Sequence, residues 1–301
     1  MSGTPPPTTA RPSVSVIVPF RGDSADLDRL LADLQRLELD NGDEVIVADN
    51  RPESADGRPP DGVHGRVRVC AACGIRSPGF ARNRAAALAA GEWLVFIDAD
   101  TVPSASLVAS YFEPAPAGAT AILAGEIVDF AASPTLAARH SAGRGQLSQG
   151  VTLGRAGSPY AQTANCAVRR MAFTEVGGFA EDARAGEDAD LCFRIVGAGW
   201  KLEARPRATV RHRSRESLSA LLGQLARHGS GAAWLNRRYP GVFAPPRPAQ
   251  LASRLARHLA GAAAATLRRD RRGTQAALLE FAEACAFELG RLLPNRARRE
   301  G

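Results

Sequence analysis

The chain has 301 residues, 45% of them hydrophobic and 23% charged, which are the proportions of a globular protein able to bury a sizeable core. Its five cysteines are an odd number and exclude a fully paired disulfide framework. No stretch reaches the roughly 18 apolar residues of a membrane span; the nearest, Leu259–Leu267, is short and mostly alanine. The formal charge of +7 is uneven, with clustered acids at Asp98/Asp100 and Glu187/Asp188 and arginine-dense stretches at 205–215, 268–272 and 296–299. Such a basic region can contact an anionic lipid or substrate, although a solvated arginine-rich surface is the plainer reading, and no nucleic-acid partner is expected.

Ser2–Pro12 is rich in Pro and Thr without an apolar run, so residues 1–12 read as a disordered leader rather than a secretory signal. The cysteine usage fits a reducing, cytoplasmic setting. Cys166, Cys192 and Cys285 have apolar neighbours and read as core residues. Cys70 and Cys73 form a lone C-x-x-C, lacking the second pair that a zinc site needs and offering only a weak redox candidate.

In chain order, Ser13–Val18 reads as a buried strand closed by Pro19, followed by a helix over Asp26–Leu37 capped by Ser24. Glu44–Ala48 and Val67–Cys70 are further strands. Gly79 opens a helix over Phe80–Ala90 that Gly91 stops, and Trp93–Ile97 is a fourth strand leading into Asp98. Continuous apolar strands alternating with helices predict an α/β fold, a doubly wound and mostly parallel sheet with helices on both faces. Ligands of such sheets bind beyond the carboxyl ends of the strands, which places Pro19–Asp23, Asp49–Arg51 and Asp98–Thr101 around one cleft. Later, Ala121–Val128 and Ala208–His212 read as strands, Ala131–Pro159 as a weakly periodic region and Asp190–Ala198 as a helix. Three helical segments follow, Leu218–Arg238, Leu251–Arg269 and Thr274–Leu293, the first set apart by the Pro-rich break Pro240–Pro248.

Asp98 and Asp100 sit at alternate positions where a buried strand exits, so both carboxylates can turn toward one Mg²⁺ or Mn²⁺ ion. Such an ion offsets the charge of a departing diphosphate. Glu187 and Asp188 precede a helix, where one acid can cap and the other act as a general base. His212 ends a short strand and can complete a metal site with Asp100, although a lone histidine is more often structural. Arg82 carries the rigid donor fork suited to phosphate or a planar base.

The segments Val14–Arg21, Glu44–Asn50, Gly79–Asn83, Gly91–Asp100, Gly177–Phe179, Gly186–Arg194 and Ala208–His212 resemble, in order and spacing, family 2 glycosyltransferases. The resemblance covers roughly residues 13–215 and implies a GT-A fold, a nucleotide-diphosphate sugar donor (a UDP-sugar first), a divalent metal and inversion at the anomeric carbon. By position it implies that Pro19, Phe20, Arg21 and Asp49 line the nucleoside pocket and that Arg82 contacts base or diphosphate. It further implies Asp98 near the ribose or metal, Asp100 and His212 on the metal, and Asp188 as the base oriented by Glu187.

The chain departs from many relatives in carrying Asn50-Arg51-Pro52 where they have Asp-Gly-Ser, which leaves the nucleotide base open. Gln224-Leu-Ala-Arg227-His228 only faintly echoes the Gln-x-x-Arg-Trp of processive synthases, which favours single transfer to a hydroxyl or amine. The expected division is a nucleotide half at 13–101, an acceptor half at 102–215 and a basic helical extension at 216–301 able to make peripheral contact with the inner membrane face. The alternatives are a nucleotidyltransferase, which would want a glycine-rich loop where Arg21-Gly22-Asp23 supplies one glycine, and a non-catalytic binding module.

Overall fold

The computed structural model describes residues 11–52, 62–145 and 147–299, so the expected leader lies outside the described residues except for Arg11 and Pro12. Nine strands form the central sheet in the order β3 (Gly62–His64), β4 (Val67–Ala71), β2 (Glu44–Asp49), β1 (Val14–Phe20), β6 (Trp93–Ile97), β9 (Asn165–Arg169), β8 (Thr120–Phe130), β10 (Lys201–Arg213) and β7 (Thr101–Pro103). The longest pairings are parallel: β4–β2–β1–β6 on one side, with Ile17 level with Ile46 and Phe96, and β8–β10 on the other. β9 joins these halves, antiparallel to both β6 and β8.

The period of two in β1 sorts its side chains. Val14, Val16 and Val18 join Leu27, Leu30 and Leu34 of α1 (Ser24–Leu34) on one face of the sheet. Ile17 joins Ala81 and Ala85 of α2 (Pro78–Ala86), with Leu94 and Phe96, on the other. Phe96 packs edge-on against Phe179 at 5.1 Å between ring centroids. Asp23, rather than Ser24, caps α1, its carboxylate accepting the Asp26 N–H at 2.8 Å. α2 ends four residues before the expected Ala90. Gly91 is needed instead because a Cβ there would collide with the β1 backbone at Ser15.

Two further short strands, β5 (Ile75–Arg76) and β11 (Arg298–Arg299), pair outside the main sheet. The region read as weakly periodic, Ala131–Pro159, holds α4 (Leu136–Arg144) and α5 (Gln149–Leu153), following α3 (Leu107–Tyr111). Helices this short fall below the window in which periodicity is readable, and their caps, Thr135 and Ser148, are the sequence signal that remains. α6 (Arg170–Glu175) leads to α7 (Glu187–Gly197), and the chain closes with α8 (Leu218–Arg238), α9 (Pro248–Leu267) and α10 (Arg271–Gly290). α8 crosses α10 at Gly229 and Gly290, where a Cβ on either glycine would collide with the other helix's backbone. All five cysteines are free thiols. Among the described residues no helix is long and apolar enough to cross a membrane.

Candidate active site

A cleft of ≈ 1970 Å³ opens at the carboxyl ends of β1 and β6 and is walled by the start of α7, the end of β10 and one face of α8. Pro19, Phe20, Arg21, Arg82, Asp98, Asp100, Glu187, Asp188 and His212 all line it. Asp49 is the predicted residue that does not. It is buried at the end of β2 with both carboxylate oxygens held by Arg51, whose Nε and terminal nitrogen lie 3.0 and 2.8 Å away, and its neighbour Asn50 takes the place on the cleft wall. Asn50 is fixed there by donating from its side-chain amide to Ile75 O at 2.9 Å.

Arg82 is 3% exposed and joins the two acidic motifs, donating to Asp98 Oδ1 at 2.7 Å and to Glu187 Oε1 at 2.9 Å. Its guanidinium also lies 5.4 Å over the Phe179 ring. Burial works against the charged Arg82, but the two carboxylates more than compensate and hold its pKa above the ordinary arginine value. A buried guanidinium so committed positions the acids around it. Asp98 is accordingly turned to Arg82 and does not join Asp100 and His212 in a three-ligand group; no such group occurs among the described residues.

Asp100 is reached from the far half of the sheet. β10 lies antiparallel to β7 with His212 opposite Thr101, and the Arg213 N–H donates to the Asp100 carbonyl at 2.9 Å. His212 Nε2 then stands 3.4 Å from Asp100 Oδ1, while Arg215 holds Oδ2 at 3.0 Å. His212 Nδ1 is 2.8 Å from Asp129 Oδ1, the residue level with it on β8. Burial lowers the His212 pKa, but its bonds to Asp100 and Asp129 prevail and push it up to about 10. Burial raises that of Asp100, yet His212 and Arg215 bring it down to about 2. This donor set fits a divalent cation: one carboxylate oxygen, one imidazole whose other nitrogen is oriented by a carboxylate, and, among the described residues, no third ligand group to fill positions that phosphate oxygens take. The cation would replace the proton that Nε2 carries without it.

Glu187 and Asp188 are the first two residues of α7, not residues ahead of it. Gly186, at φ 86°, precedes the helix without a side-chain cap. Glu187 is held by Arg82, and Asp188 accepts the first-turn N–H of Ala189 at 2.8 Å. Burial and then the charge of Glu187 push Asp188 up to about 7, which suits an acid–base group at neutral pH. Two polar residues of the site, Asp129 and Arg215, were not singled out in the sequence. The readable signal for Asp129 was a single acid near the end of a strand that runs parallel to the histidine strand.

A family model described as "Glycosyltransferase like family 2" matches residues 12–231. The chain belongs to glycosyltransferase family 2. This membership speaks against the nucleotidyltransferase. Two proteins named "Pre-mycofactocin glycosyltransferase", from Mycobacterium tuberculosis strains CDC 1551 / Oshkosh and ATCC 25618 / H37Rv, are each 29% identical to this glycosyltransferase over 253 residues, covering 80% of it and 51% of theirs. The chain thus spans about half the length of these curated relatives. The mannosyltransferase PcManGT from Pyrobaculum calidifontis, in complex with GDP-Man and Mn²⁺, superposes with a TM-score of 0.61 at 18% identity, covering 92% of this chain and 87% of its own. A mycobacterial protein superposes with a TM-score of 0.53 at 19% identity, covering 75% of this chain and 74% of its own. Such likeness is one of fold, the GT-A α/β sheet.

Proposed function

We propose that this family 2 enzyme moves a sugar from a nucleotide-diphosphate donor, UDP being the first nucleotide to try, to an acceptor hydroxyl or amine, once per encounter and with inversion. The observation that carries the reading is the meeting in one cleft of Asp100 and His212 with Asp188, while Arg82 ties their neighbours Asp98 and Glu187 together. Pro19, Phe20 and Arg21 take the nucleoside end, with residues 13–101 as the nucleotide half and 102–215 as the acceptor half. A divalent ion, as Mn²⁺ accompanies GDP-Man in the Pyrobaculum mannosyltransferase, would be held by Asp100 and His212 and offset the charge of the leaving diphosphate.

Asp188 is the base. With a pKa of about 7 it is part ionised at neutral pH and still basic enough to take the acceptor's proton as the new bond forms. Arg82 keeps Asp98 and Glu187 in place, so Glu187 acts on Asp188 by charge at short range. Inversion asks for the base and the diphosphate on opposite faces of the sugar, and they are assigned to different elements, α7 and the turn after β6. Single transfer is favoured by His228 where processive enzymes carry tryptophan. The basic helices of residues 216–301 close the acceptor end and would make any peripheral membrane contact. Pre-mycofactocin, from the relatives' names, is the first acceptor to assay.

The test is a thermal-shift screen of UDP, GDP, dTDP and CDP with and without Mn²⁺, repeated with Asp100→Ala. Stabilisation by one nucleotide that needs both metal and Asp100 supports the reading. Equal stabilisation in Asp100→Ala would remove Asp100 from the metal site.

A further inference from the structure

One end of the cleft carries positive charge that the donor site does not use. After α10 the chain turns back under α7. Asn295, 6% exposed, donates to Ala185 O at 2.8 Å and accepts the Ala185 N–H at 3.1 Å. Ala183 bridges to Arg296, and the Ala297 N–H donates to Asp182 O at 2.6 Å. The strap ends as β11, which sets Arg298 directly opposite Arg76 of β5. Like charges directly opposed across two strands are destabilising.

Arg76 and Arg298 line the cleft together with Arg184, from the loop before α7, and Arg227, from α8. None of these four has an acidic partner among the described residues. Arg227 is half-buried and Arg76, Arg184 and Arg298 are exposed at the cleft's edge. The half-buried or buried arginines nearer the acids are engaged: Arg82 by Asp98 and Glu187, Arg215 by Asp100, Arg213 by Asp33 and Arg291 by Glu288, while Arg155 donates to Val242 O at 2.7 Å. Burial, and then the charges of Arg215, Arg184 and Arg76, hold the Arg227 guanidinium below its usual pKa. Arg184 and Arg76 therefore stand close enough to Arg227 to repel it, and Arg298 is paired in register with Arg76. A polar strap and two strand ends hold them in that unfavourable arrangement, which an anion would relieve.

The donor's diphosphate is not the natural candidate. In the proposed function it faces Asp100, where Arg215 already stands. The free cluster instead lies on the loop that leads into Asp188, four residues after Arg184, and on the helix that covers the acceptor end. At ≈ 1970 Å³ the cleft also exceeds the roughly 300–1,000 Å³ of a typical single-ligand pocket, leaving room for a second molecule beside the donor.

We propose that Arg76, Arg184, Arg227 and Arg298 bind a phosphate group carried by the acceptor, so that the sugar passes to a phosphate-bearing molecule. This rests on reading the cleft as a joint donor and acceptor site. Arginine is the suited residue because its fork grips phosphate oxygens two at a time.

Calorimetric titration with inorganic pyrophosphate in excess chelator isolates the cluster, since the donor site then lacks its metal. The wild-type protein binds pyrophosphate, Arg76→Gln/Arg298→Gln weakens it about tenfold or more, and Arg184→Gln does likewise, each lost charged contact being worth about a factor of ten. Binding also persists when the protein is first saturated with Mn²⁺ and the nucleoside diphosphate that the screen selects. Loss of pyrophosphate binding on that saturation would overturn the proposal by giving the arginines to the donor. Unchanged affinity in both variants would overturn it by removing the site. If no nucleoside diphosphate binds while the pyrophosphate site behaves as described, the donor reading fails and the anion site stands. Because the substitutions relieve repulsion, the ligand-free variants melt no lower than the wild type; a lower melting temperature would contradict the mutual repulsion on which the proposal depends.

Discussion

β1, β2 and β6 are buried on both faces, and apart from Ser15 and the strand-end acids Glu44 and Asp49 their side chains are apolar. α8 is built the other way: its buried positions are largely small (Gly229, Ser230, Gly231, Ala232), and it meets its neighbours through backbone contact and ion pairs. Asp190 at the start of α7, fully buried, holds Arg238 at 2.7 Å and the Tyr239 hydroxyl at 2.8 Å, fastening the end of α8. The sheet is held by apolar area, which is non-directional and large; the cover is held by close approach and paired charge, which are directional and easily changed. The carboxylates of the site lie where the two meet, with Asp100 issuing from the rigid half and Asp188 sitting under the cover.

The comparison can be broken from the sheet side most severely. Phe96→Ala removes a fully buried ring that packs on Phe173 and Phe179, and should cost about 3–5 kcal/mol in a urea titration. A loss below 1 kcal/mol would mean the apolar half is not what holds the fold. Arg82→Ala attacks the tie between β6 and α7. It leaves Glu187 buried beside Asp188 without its cation, and should cost about 3–5 kcal/mol, less whatever the partly exposed Asp98 recovers from water. The cover is the gentler target. Gly290→Val drives a side chain into the α8 backbone and should cost about 1–3 kcal/mol, with donor binding retained if the sheet half folds unaided.

The smallest effect sharpens the comparison at the seam. The Asp188 pKa is raised from the ordinary carboxylate range to about 7, so between those values the folded state holds a proton that the unfolded state has released. Stability from this group is therefore fully present below the unfolded pKa and lost as pH rises through about 7. Asp188→Asn should raise the melting temperature at pH 8, by about 2–4 °C for each kcal/mol recovered, and change it little at pH 4. Equal melting temperatures at pH 8 would show that the carboxylate is not strained.

The same contrast explains what the sequence disclosed. Val14–Phe20, Trp93–Ile97 and the acids that follow them were legible because apolar runs and a two-residue period are local signals. The anchoring of Asp98 by Arg82, the capture of Asp49 by Arg51 and the arrival of Asp129 behind His212 were not legible, since each pair is set by rotamers or by strand register. The helical positions 218–238 were plain in the sequence, but their role as a wall of the cleft depends on Gly186 and Gly231, which let α8 press against the loop before Asp188. Short elements such as β9 and α5 were missed because, unlike the equally short but wholly apolar β6, their five residues mix polar and apolar side chains and carry too little pattern.

The central claim is that Asp188 takes the acceptor's proton while Asp100 and His212 serve the donor. Asp188→Asn measured in one preparation for nucleotide binding with Mn²⁺ and for donor turnover tests it most directly. The account predicts donor affinity within about twofold of wild type and turnover lower by about 10²–10⁴, together with loss of the rise in rate through pH about 7. Near-normal turnover with that pH profile intact would contradict it and place the base elsewhere.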